Sequence, residues 1–68
     1  MEIKLGNSYH IYGKISNMKR YRPLSKDRFV TNLIHADIFK IDTEKDKEEL
    51  EREMKFLNKQ GSFSLRRI

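Results

Sequence analysis

Not one cysteine occurs in this chain of 68 residues, and that absence sets the first limit on its fold. No disulfide can staple the chain, and a thiolate zinc site is excluded with it. Stability must come from an apolar core alone. A domain this short buries only about 60% of the surface its unfolded chain exposes. Such a core supplies roughly 3–5 kcal/mol net. Only 37% of the residues are apolar and another 37% are charged. Four Phe and three Tyr nevertheless argue against disorder. The expectation is a single domain, 1–68, of a kind at home in a reducing compartment.

The same smallness bears on chemistry. An active site needs a concave pocket of roughly 300 Å³ or more, which a chain of this length is poorly placed to build. No nucleophile-elbow pattern supports Ser8 and His10 as a catalytic pair. His10 and His35 match no zinc spacing. The expectation is therefore a binding protein rather than an enzyme, with no cofactor and no metal. No apolar run approaches the ~18 residues of a membrane span. Met1-Glu2-Ile3-Lys4-Leu5 has no signal-peptide apolar region. The chain reads as soluble and cytoplasmic.

Local patterns give an element order. Ile3 and Leu5 alternate with Lys4, Gly6-Asn7 signals a turn, and Tyr9 and Ile11 alternate with His10 and Tyr12. That predicts a β-hairpin. Met18–Arg22 reads as a third strand, ended or kept at an edge by Pro23, and Ser25-Lys26-Asp27 reads as a loop. Phe29, Val30, Leu33, Ile34 and Ala36 fit a short helical turn, followed by a short strand at Ile38–Ile41. Residues 43–59 predict the main helix. Asp42 or Thr43 can cap it, acids crowd its first turns, and Glu48–Arg52 and Glu51–Lys55 are favourable i,i+4 pairs. Leu50, Met54 and Leu57 form its apolar stripe. Gly61 offers a left-handed stop, and Phe63 and Leu65 alternate in a last strand. The predicted class is α+β: a small antiparallel sheet of three to five strands with one main helix across a face. The predicted core is Ile3, Leu5, Tyr9, Ile11, Phe39, Leu50, Met54, Leu57, Phe63 and Leu65.

The formal net charge is +5, but it is unevenly placed. Residues 14–28 carry six bases against Asp27. Residues 42–53 carry seven acids against three bases, and residues 55–68 carry four bases and no acid. Basic side chains around an aromatic suit phosphates and a stacked base. They equally suit an acidic protein groove, or simply a solvated edge strand kept from aggregating. The candidate partner-binding residues are Lys19, Arg20, Tyr21, Arg22, Lys26 and Arg28. Phe56 joins them because it falls about 120° off the helix stripe at ~100° per residue; its bland counterpart is a flank of the core. Tyr12 faces the same choice. Arg66 and Arg67 form a smaller basic pair that shares a face with the first group if the last strand lies beside the first hairpin. The acidic helix reads as a salt-bridge-laced solvated face rather than a nucleic-acid mimic. A strand edge at 18–22 or 62–67 would also permit a homodimer.

The second half of the chain resembles a known group. Phe29-Val30-Thr31-Asn32-Leu33-Ile34-His35-Ala36-Asp37-Ile38-Phe39, the helix bearing Leu50, Met54, Leu57 and Asn58, and Ser62-Phe63-Ser64-Leu65-Arg66-Arg67-Ile68 are similar to small accessory proteins of tailed bacteriophages and prophages. The resemblance covers roughly the last 40 residues as a loose pattern. It implies a non-enzymatic phage-type protein, of anti-CRISPR or related kind, in the cytoplasm of a bacterial host. Such a protein docks on a host protein or ribonucleoprotein and blocks it sterically. Direct nucleic-acid binding through the same basic segment is the alternative.

Overall fold

The computed structural model describes residues 3–26 and 28–68. These residues form an α+β domain, with one α-helix and a five-stranded antiparallel sheet among them. The strands are β1 (Ser8–Lys14), β2 (Arg22–Ser25), β3 (Arg28–Phe29), β4 (Phe39–Lys40) and β5 (Ser62–Arg67), and the helix is α1 (Glu44–Leu57). A single 3-10 turn, Leu33–His35, lies between β3 and β4.

β1 is the hub. β5 runs along one of its edges from Tyr9↔Arg67 to Lys14↔Ser62. The other edge is shared: β4 takes its start, Ser8↔Lys40 and Tyr9↔Phe39, and β2 takes its end, Tyr12↔Pro23 and Gly13↔Arg22. β3 then adds to β2 through Leu24↔Phe29 and Ser25↔Arg28.

This arrangement overturns the expected N-terminal hairpin. Both edges of β1 are occupied, so residues 3–5 have no strand to join. They form a loop, and Leu5, expected in the core, is half exposed. The Gly6-Asn7 turn does exist, with Gly6 in the left-handed region at φ +87°. It is tied to the chain before the helix instead: Gly6 N–H donates to the Ile41 carbonyl at 2.7 Å, and Ile41 N–H donates to the Asn7 carbonyl at 3.0 Å. The Tyr9 hydroxyl holds the loop from within, accepting from Lys4 N–H at 2.9 Å and from Asn7 Nδ2 at 3.4 Å.

The third strand is displaced as well. Lys19 and Arg20 form a bend, Met18 and Tyr21 belong to no strand, and the strand starts at Arg22 and runs through Pro23. Proline is tolerated because its carbonyl accepts from Val30 N–H at 2.9 Å. That carbonyl, and therefore the missing donor, faces β3, which is only two residues long. The ladder to β1 loses nothing.

The helix follows the sequence closely. Thr43 is the N-cap in a capping box: its Oγ1 accepts from Asp46 N–H at 3.2 Å, and Asp46 Oδ2 accepts from Thr43 N–H at 3.1 Å. Two free helix donors are thereby satisfied. α1 ends at Leu57, and Gly61 is not in the left-handed region. The chain turns through bonds from Gln60 and Gly61 N–H to the Leu57 carbonyl. Gly61 is needed for another reason: a Cβ there would sit 2.6 Å from the Lys14 carbonyl oxygen.

Ile3, Tyr9, Ile11, Leu24, Ile41, Leu50, Leu57, Phe63 and Leu65 form one buried cluster, with Phe29, Phe39 and Met54 packed against it. Leu24 and Ile41 were not expected there. Leu33 and Ile34, expected on a short helical turn, do lie in the 3-10 turn and are exposed, while Ala36 just after it is buried.

Candidate nucleic-acid interface

Residues paired directly across antiparallel strands project to the same face. One face therefore carries Tyr9, Ile11, Gly13, Phe63 and Leu65, and these belong with Leu50 and Leu57 of α1 in or against the core. The opposite face of β1 carries Ser8, His10, Tyr12 and Lys14, all half-exposed. Beside them β5 places Ser62, Ser64 and Arg66, all exposed. Pro23, Ser25, Arg28 and Lys40 complete this outward face from β2, β3 and β4. None of these positions is an acid, whereas seven acids fall in residues 42–53 at and within the helix.

Two aromatic rings on this face are paired with cations. The Arg66 guanidinium lies 4.9 Å from the centroid of Tyr12. Lys14 Nζ lies 5.7 Å from the centroid of Tyr21. Tyr21 is 45% exposed, and its hydroxyl is hydrogen-bonded to Ser62 Oγ, which fixes the ring beside the end of β1. His10 is oriented too: its Nδ1 donates to the Asp37 carbonyl at 2.9 Å. The nearby Asp37 carboxylate is itself engaged, accepting from Lys26 N–H. A cation held at a ring keeps positive charge within reach of a bound phosphate, and it can be displaced along the strand when a base stacks on the ring.

The structure separates the residues singled out from the sequence. Tyr21 and Arg28 belong with the outward face. Lys19 and Arg20 lie exposed on the bend before β2. Arg22 is paired with Gly13, so it starts on the core side of the sheet. Lys26 sits in the β2–β3 turn at φ +56°. Phe56 is 58% exposed, but it borders a different groove, with Ile15, Leu24 and Phe29. Tyr12, Lys14 and Arg66 are the additions. The alternation already set Tyr12 and Arg66 opposite the core residues Tyr9, Ile11, Phe63 and Leu65; their union on one face was decided by the pairing of β1 with β5.

Among the described residues no group of three or more His, Asp or Glu is placed to hold a metal ion. No helix among them is long and apolar enough to cross a membrane. Comparisons with family models, with curated proteins and with solved structures give no significant match.

Proposed function

We propose that this chain is a non-enzymatic binding module whose outward sheet face holds single-stranded nucleic acid, free or presented by a ribonucleoprotein. The observation that carries the reading is the pair of cation-bearing rings, Tyr12 with Arg66 and Tyr21 with Lys14, on a strand face without acids. Rings on such a face offer stacking to any base, and the flanking cations offer charge to the backbone. The action is steric. Bases occupied here are denied to a host machine in the bacterial cytoplasm, as the resemblance to phage accessory proteins implies.

The test is fluorescence anisotropy of a labelled twelve-nucleotide single strand. Four outward bases, Lys14, Arg28, Lys40 and Arg66, would weaken binding about 50-fold between 50 and 200 mM salt, from a slope of roughly −0.7 per phosphate neutralised. Tyr12→Ala and Tyr21→Ala should each cost about 1–3 kcal/mol. If no oligonucleotide binds at 50 mM salt while a pull-down from host lysate recovers one stoichiometric protein, docking on an acidic protein surface replaces this reading.

A further inference from the structure

A second surface, independent of the outward face, lies along the far edge of β5. β5 pairs with β1 on one side only, and among the described residues no strand pairs with its other side. Two hydrogen bonds fix which backbone groups point where. Ile68 N–H donates to the Ser8 carbonyl, toward β1. Phe63 N–H donates to Asn58 Oδ1 at 2.9 Å, away from β1. Backbone groups alternate sides along a strand, so the N–H and C=O of Leu65 and Arg67, with the Phe63 carbonyl, face the free edge. Asn58 has already satisfied the Phe63 donor, which marks where that edge stops being available.

A groove of about 480 Å³ runs between this edge and α1. Ile3, Met54 and Leu65 give it apolar surface, and Lys47, Glu51 and Lys55 line its helix side one turn apart. Two lysines against one glutamate favour a negatively charged occupant. We propose that an extended acidic peptide, whose side chains at every second position are apolar and carboxylate in turn, adds to β5 as a sixth strand. Its backbone would pair with Leu65 and Arg67, and the side chains on its helix-facing side would meet the groove, the apolar ones at Met54 and Ile3 and the carboxylates between them at Lys47 and Lys55. Strand addition of this kind draws affinity from main-chain bonds and specificity from alternate side chains. A second copy is the poorer occupant. Its own β5, Ser62–Arg67, carries two arginines and no carboxylate to meet Lys47 and Lys55 across a two-fold axis.

The test uses the full chain and a synthetic peptide, Leu-Ser-Asp-Ser-Leu-Ser-Asp, which sets leucine and aspartate in turn on one strand face, followed by amide hydrogen exchange and NMR shifts. Protection should appear at Leu65 and Arg67 on peptide addition and leave Phe63 unchanged. Lys47→Glu/Lys55→Glu, at surface positions of the helix, should weaken peptide binding by about tenfold or more without changing oligonucleotide binding. A peptide N-methylated at alternate residues should fail to bind. The proposal is overturned if Leu65 and Arg67 gain no protection at millimolar peptide, if the N-methylated peptide binds equally well, or if both amides are already protected in the free protein in a dilution-sensitive way, which would mark a second copy.

Discussion

Gly13 lies directly under the ring of Phe63: a Cβ built on Gly13 would stand 2.1 Å from Phe63 Cδ2. The two residues are paired across β1 and β5, and the ring is backed by Phe29, nearly parallel at a 6.1 Å centroid separation. The ring therefore has nowhere inexpensive to go. Gly13→Ala should destabilise the domain by about 1–3 kcal/mol, the usual cost of overpacking. At roughly 4–8 °C per kcal/mol for a domain this size, a thermal melt will resolve it. An unchanged Tm would mean that Phe63 has room the packing does not show.

Tyr9 is a core residue with a working hydroxyl. The Lys4 amide and the Asn7 side chain both donate to it, and they hold its pKa below the ordinary 10.0, with burial of the ring opposing them. The folded protein thus releases this proton more readily than the unfolded chain. For this group alone, stability rises with pH from the lowered folded value up to 10.0, and that increment is absent at neutral pH. An absorbance titration should find one tyrosine ionising early, and Tyr9→Phe should abolish that step. The same variant should lose about 0.5–1.5 kcal/mol for each hydrogen bond removed.

Asn58 joins the end of the helix to the start of β5. Asn58→Ala should cost about 0.5–1.5 kcal/mol and should speed hydrogen exchange at the Phe63 amide. Asn58→Asp keeps an acceptor oxygen and should restore slow exchange. Equal exchange in all three proteins would show that the 2.9 Å contact is not maintained in solution.

Two double variants separate overall charge from position. Arg20→Glu/Arg22→Glu and Lys14→Glu/Arg66→Glu change net charge by the same amount. Only the second strips the outward face, since Arg22 pairs with Gly13 while Lys14 and Arg66 flank Tyr12 and Tyr21. Oligonucleotide anisotropy at low salt should fall much further for the second pair, and its salt slope should flatten by about 1.4. Equal losses would reduce the interface to non-specific charge.

The legible parts of the fold were those whose signals are local. The helix was readable because caps, charge order and the Leu50–Leu57 stripe all lie within one stretch, and the capping box at Thr43 and Asp46 completes it. β5 was readable from the alternation of Phe63 and Leu65. The hairpin failed because Ile3 and Leu5 carry a valid strand pattern yet must compete for an edge of β1 with residues about 35 and 60 positions further on. No local pattern reports who wins an edge. Arg22–Ser25 was missed because Pro23 reads as a stop unless the strand beyond it is known to be short. The candidate site shared that limit. Its basic composition was plain, but the union of Tyr12, Lys14 and Arg66 on one face depends on register, and register between distant segments is a tertiary property.

The position of β1 also sets a timetable. The strand on which the sheet depends is finished by residue 14, yet its longest partner spans 62–67. During vectorial synthesis β2 and β4 can reach one edge of the first strand early, but its other edge must stay open while about fifty further residues are added. Until then Tyr9 and Ile11 lack the cover of Phe63 and Leu65, and the open edge is available to stray strands. For this chain, the longest seam of the sheet is the last to close.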